Sequence, residues 1–193
     1  MRKLEIQSKK LLFNDFFKIE EAILRFEQFD GSLSEPIRRL TFERGDGVGA
    51  LIYNRESKTV VLVEQFRYPT VSRGDGWILE VVAGMLDREA TPEETIRHEI
   101  LEETGYRAEN LEKICTFYVS PGGTSERMTL YYCEVVNADK VAEGGGHAGE
   151  GEDIRVVEMP LDEALASLES GEVIDGKTIL ALMWLKGREA IKK

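Results

Sequence analysis

Apolar and polar positions change rhythm along this chain, and the changes divide it. In FKIEEAILRFEQFDG and IRRLTFERGDG apolar residues partly alternate with polar ones, and Asp30-Gly31 and Asp46-Gly47 supply turns. Both stretches are expected to be β segments of a small N-terminal appendage. From Val48 the pattern becomes denser. VGALIYN and TVVLVEQF are nearly continuous apolar runs, as required of strands buried on both faces in the middle of a layered sheet. WILEVVAG reads as one further strand after the Asp75-Gly76 turn, and KICTFYVS, RMTLYYCEVV and IRVVEMP complete the set.

Between these strands lie segments with helical rhythm. Thr91-Pro92-Glu93-Glu94 supplies an N-cap, a proline at the first helical position and a capping-box glutamate, while Gly105 is placed to end the element. A helix is expected over about residues 92–104. LDEALASLES and KTILALMWLKGREA read as amphipathic helices, their apolar residues as core packing. Strands and helices interleave without a repeat, so the expected fold class is α/β, a mixed sheet covered by helices. The expected division is a β-rich region over residues 1–46 and the main domain over residues 47–193.

Composition narrows the partners. The 193 residues, 42% of them hydrophobic, suit one domain with a smaller appendage. With 36 acidic against 25 basic residues the net charge is −11, which argues against nucleic acid or an anionic membrane as partner. No apolar run approaches a membrane span and MRKLEIQSKK lacks a signal-peptide core, so a cytoplasmic protein is expected. The two cysteines lie in strand-like segments without CxxC spacing, which predicts two buried free thiols.

The candidate chemistry centres on REATPEETIRHEILEETGY, with six glutamates. On a helix, Glu99 and Glu103 lie about 40° apart and Glu102 about 60° to the other side of Glu99. Ile96 and Ile100 run beside Glu99 and Glu103, placing these two acids at the edge of the apolar face and only partly solvated. For charges about 6 Å apart at an effective dielectric near 20, repulsion reaches roughly 3 kcal/mol per pair, which a bound cation would relieve. Charge alone leaves a solvated acidic face and a divalent-metal site both open.

Residues 83–106, AGMLDREATPEETIRHEILEETGY, resemble the Nudix box. Gly84, Glu99, Ile100, Glu102, Glu103, Gly105 and Tyr106 fall in its register. Two positions depart: Ala90 stands where the motif has its first glutamate, with Glu89 beside it, and His98 replaces the arginine before Glu99. His98 by itself reads as a surface or capping residue. IRRLTFERG, VEQFRYP, SPGGTSER and EGEDIRV extend the resemblance to the nucleoside-diphosphate-sugar pyrophosphatases, which act on substrates such as ADP-ribose or GDP-mannose. The resemblance implies an α/β/α Nudix sandwich.

It also implies roles. The Ala83 carbonyl, Glu99, Glu103 and Glu152 would hold Mg2+, with Mn2+ as a substitute, and Glu102 would assist a second ion. Glu150 would be the general base. Arg39, Arg67 and Glu80 would contact substrate. The expected reaction is hydrolysis of ADP-ribose to AMP and ribose 5-phosphate, with GDP-mannose as the alternative because GEVIDGKTILAL is more similar to that subgroup. A homodimer is implied, with residues 1–46 as its dimerisation region and Arg39 serving the neighbouring subunit. A catalytically weak binding module is a further alternative, through Ala90 and His98. Read without the resemblance, EGGGHAGEGED is a surface connector, SPGGTSER a turn with a Glu126–Arg127 ion pair, and Arg39 and Arg67 flank strands.

Overall fold

The computed structural model describes residues 2–86, 89–147, 149 and 151–191. Its contacts gather into two compact units, Met1–Asp46 with Tyr118–Arg127, and Gly47–Phe117 with Met128–Lys193.

The first unit is an antiparallel sheet in the order β1 (Leu4–Asn14), β2 (Lys18–Phe26), β3 (Ile37–Glu43). The two expected segments are β2 and β3. Strand β1 is not announced by local pattern because LEIQSKKLLFN lacks clean alternation, and its pairing with β2 slips at two places, between Ile6 and Ser8 and between Leu11 and Phe13. Every residue of β1 is exposed. The loop containing PGGTSE belongs to this unit: Phe42 N donates to Gly123 O at 2.8 Å and Ser125 Oγ to Glu43 Oε2 at 2.5 Å. The Glu126–Arg127 pair does not form. Arg127 instead holds Asp46 through Nη2 at 2.7 Å and Nε at 3.2 Å, and Glu126 faces Arg44.

The second unit is built on a seven-stranded mixed sheet. Its main path runs β10 (Ile154–Pro160), β5 (Thr59–Phe66), β4 (Gly47–Asn54), β9 (Arg127–Val135), β8 (Glu112–Tyr118). β4 and β5, the two continuous apolar runs, lie in the apolar interior as expected, and β4 pairs with β9 in parallel. The expected single strand WILEVVAG is two. β4 and β5 pair with each other only at Ile52–Asn54 and Thr59–Val61, then β6 (Trp77–Glu80) continues along β5 while β7 (Val82–Met85) continues along β4. Val81 is the corner at which the chain changes partner strand. No alternation in the sequence marks it, because both sides of the corner are equally apolar.

Helices cover the two faces of this sheet. α1 (Pro92–Thr104) lies over Val48, Ala50, Val61, Val63 and Val82, while α2 (Leu161–Ser170) and α3 (Gly176–Ile191) lie over Leu51, Val60, Leu62 and Val81. Alternate residues of each strand therefore feed opposite cores, and each fully buried Leu, Ile or Val contributes about 1.5–3 kcal/mol. The chain has the expected α/β architecture, a mixed sheet with three helices and an N-terminal β sheet. Both cysteines are free, Cys133 buried as expected and Cys115 half-buried. No helix among the described residues is long and apolar enough to cross a membrane.

Candidate active site

α1 is fixed at both ends by local chemistry. Thr91 Oγ1 accepts from Glu94 N at 3.2 Å, Glu94 Oε2 accepts from Thr91 N at 2.8 Å, and Pro92 opens the first turn. Gly105 closes it in the left-handed region at φ 74°, where a Cβ would also strike the Ala142 carbonyl. Glu93 accepts from Tyr131 Oη at 2.8 Å. Two of the six glutamates are thus committed to the helix start.

Ile96 and Ile100 are fully buried, and they carry Glu103 inward with them. Its neighbours on the same turn fare differently: Glu99 is half-buried and Glu102 exposed. Glu103 goes further inside than the expected partial solvation, to 2% exposure, and its Oε2 has no hydrogen-bond partner among the described residues. Burial pushes its carboxyl up to about 9; the charges of Glu99, Glu152 and Glu80 push the same way, and Arg67 opposes them. Side chains from α1, from β6, from the segment before β10 and from the end of β5 therefore converge on one carboxylate.

Gly84 shows why the motif's glycine stands there. A Cβ at this position would overlap the Glu99 carboxylate, so only glycine lets the helix acid lie against β7. Ala83, the candidate carbonyl ligand, precedes it in β7 opposite Gly49. Glu152 lies before β10 and accepts from His147 N at 3.0 Å. The candidate base Glu150 lies outside the described residues. Arg39 is exposed on β3 of the first unit, opposite Ala22.

Arg67 and Glu80 form a pair, although in sequence they stand only as separate candidates. Arg67 Nε and Nη2 each lie 2.7 Å from Glu80 Oε1. A third member is one that sequence patterns do not single out: Lys177, at the start of α3, pairs with Glu80 Oε2 and lies 3.2 Å from Asp175 Oδ2. A lysine in the first turn of an amphipathic helix reads as solvated; only tertiary packing turns it inward. His98, by contrast, is exposed, near Glu94.

The glycine run also has a defined part. Gly144, Gly145 and Gly146 all have positive φ, and the amides of Gly145 and Gly146 donate to the carbonyls of Glu103 at 2.9 Å and Glu102 at 3.2 Å. These are helix-end carbonyls that need outside donors. The start of EGGGHAGEGED is thus a clamp on α1, beneath the acidic cluster.

Among the described residues no three His, Cys, Asp or Glu side chains already form a metal-holding group. The fit to a divalent cation is one of donor chemistry: hard carboxylate oxygens, a buried Glu103 Oε2 without a partner among the described residues, and mutual repulsion that a divalent cation would offset. Glu99, Glu103 and Glu152 could hold such an ion.

A family model described as NUDIX domain matches residues 43–182. The chain is 41% identical to the GDP-mannose pyrophosphatase of Pectobacterium atrosepticum, over 93% of this chain and 92% of the relative. It is 40% identical to that of Cronobacter sakazakii over 96% of both chains, and 39% identical to that of Yersinia enterocolitica over 94% of both. With the family model spanning most of the chain and these relatives matching along nearly its full length, the chain belongs to the Nudix hydrolase family, in its nucleoside-diphosphate-sugar pyrophosphatase branch.

Proposed function

We propose that this protein hydrolyses the pyrophosphate bond of GDP-mannose to GMP and mannose 1-phosphate, with magnesium. The buried Glu103, its Oε2 without a hydrogen-bond partner among the described residues and the charges of Glu99, Glu152 and Glu80 acting on it, is the observation that carries the metal-dependent reading. The choice of GDP-mannose over the ADP-ribose expected from sequence rests on similarity to relatives that bear that name. Retention of the glutamates at 99, 103 and 152 favours turnover over a binding module despite Ala90 and His98.

When bound, magnesium supplies charge neutralisation for the diphosphate and acidifies a water, as divalent ions do in such sites. The chain's own residues do the rest. The Ala83 carbonyl, Glu99, Glu103 and Glu152 provide oxygen ligands, with Glu102 assisting a second ion. Glu150 takes the proton of the attacking water. Arg67, oriented by Glu80, offers its guanidinium to the anionic substrate, which a chain of net charge −11 otherwise repels.

The protein acts as a homodimer in this reading. Leu4, Ile6, Leu11, Leu12 and Phe13 of β1 are 42–59% exposed, an apolar surface suited to a second copy of the chain. Arg39 would then serve the partner's site. The test is product identification: GDP-mannose and ADP-ribose are each incubated with magnesium and with chelator, and the released nucleotide is identified. Magnesium-dependent GMP release, faster than AMP release from ADP-ribose, is expected. Preferential release of AMP would replace the substrate, and binding without any release would leave a nucleotide-binding module. Sedimentation of wild type and Phe13→Asp reads the oligomer; a wild-type monomer would refute the dimer.

A further inference from the structure

Val81 occupies the corner where the chain leaves β5 for β4, between Glu80 on one side and Ala83-Gly84 on the other. Its amide donates to Thr178 Oγ1 at 2.8 Å, a hydroxyl that is fully buried on α3. Thr178 passes its own proton donation to Asp175 Oδ2 at 2.6 Å. That same oxygen accepts from Thr178 N at 3.0 Å and lies 3.2 Å from Lys177 Nζ, which in turn pairs with Glu80. Asp175 thereby reaches both Val81 and the residue before it.

We propose that Thr178, oriented by Asp175, is a positioning residue that holds the β6–β7 corner and so sets the spacing between Glu80 with Arg67 and the Ala83-Gly84 segment packed against Glu99. The inference rests on the pyrophosphatase reading above. Asp175 accepting the Thr178 amide is an ordinary helix cap and by itself stabilises only α3. The hydroxyl bond to Val81 is different, because it joins the helix to a strand junction within the site. Glu80 pairs with Val63 and Val82 with Ala50, but Val81 between them has no ladder partner and its amide is held by the Thr178 hydroxyl; drifts of about 1 Å in positioning groups cost on the order of 10²-fold in rate.

Thr178→Val separates the two roles, since Asp175 can still accept the residue-178 amide while Val81 loses its acceptor. Thr178→Ser restores the hydroxyl. Full-length variants are compared for thermal melting, kcat and KM on GDP-mannose, half-saturating magnesium, and Mn2+ binding without nucleotide. Thr178→Val is expected to lower kcat about tenfold, weaken metal binding about threefold in both metal readouts, and leave KM within about twofold. Thr178→Ser stays near wild type, and Asp175→Asn shares the Thr178→Val defect. A folded Thr178→Val with unchanged kcat and Mn2+ affinity would overturn the proposal, as would Thr178→Ser being equally impaired. An Asp175→Asn defect without a Thr178→Val defect reduces the feature to a helix cap and also overturns it. If wild type hydrolyses neither sugar nucleotide, the functional reading fails, while the Mn2+ titration still decides the positioning role.

Discussion

Glu80 and Glu103 are each 2% exposed in the same unit of the protein, yet their surroundings are opposite. Glu80 is surrounded by cations that the chain itself supplies: Arg67 on one oxygen and Lys177 on the other, with Asp175 behind the lysine. Glu103 has three carboxylates acting on it and an oxygen with no partner among the described residues. A buried carboxylate neutralised internally holds structure together. One without a cation from the chain is held in its protonated form, and an external cation can displace that proton on binding, so the same residue type at equal depth suits architecture in one place and, in the proposed reaction, metal binding in the other.

Substitution at Glu103 breaks this contrast most severely. Glu103→Gln should lower magnesium-dependent nucleotide release about 10³-fold, equivalent to about 4 kcal/mol. Its melting temperature in chelator at pH 8 should not fall below wild type, because glutamine does not have to take up a proton on folding, as a carboxyl held up at about 9 must at that pH. Loss of fold without loss of activity per folded molecule would invert the comparison. Glu80→Gln should do the reverse. It leaves the half-buried Lys177 and Arg67 without their shared anion and should cost about 3 kcal/mol in urea unfolding; an unchanged midpoint would mean that the network is energetically idle.

A smaller effect is readable from pH. Glu103 holds its proton more tightly in the folded state, at about 9 against an ordinary 4.5, so its contribution to stability is complete below pH 4.5 and is lost as pH rises toward 9. In chelator, stability attributable to this group should fall by up to about 1.4 kcal/mol per pH unit across that window. Glu103→Gln should flatten the slope, and saturating magnesium should flatten it in wild type. A Glu103→Gln slope identical to wild type would show that this carboxyl is ionised in the free protein. The smallest expected change is His98→Arg, which restores the family's usual residue at an exposed position. The prediction is a change in kcat within about twofold; a large increase would mean that a side chain at 98 reaches the acidic cluster.

Much of this site is legible in the order of residues alone. The start and end of α1 follow from Thr91, Pro92, Glu94 and Gly105, because capping is chemistry among residues three or four apart. The glutamate spacing singles out 99, 102 and 103 for the same reason. The pairing of Arg67 with Glu80 is not legible there, since Arg67 lies just past the end of β5 and Glu80 on β6, and no local pattern announces the register of those two strands. Lys177 is hidden for a stronger reason: it is 97 residues from Glu80, and its helix position alone suggests solvent. The division of WILEVVAG at Val81 and the docking of Gly145 and Gly146 onto the end of α1 belong to the same class of event.

The sequence by itself determined most of the elements, β1 and the break at Val81 excepted, and the candidate acids. Periodicity, caps and motif spacing are short-range quantities, written in neighbouring residues and independent of what packs against them. The tertiary structure alone decided that Glu103 would be buried with its Oε2 unpartnered among the described residues while Glu80 would be buried and neutralised, and that Thr178 would reach the corner at Val81. Those outcomes depend on desolvation and on partners brought from distant elements, and both come into being only when the sheet and its helices close on one another.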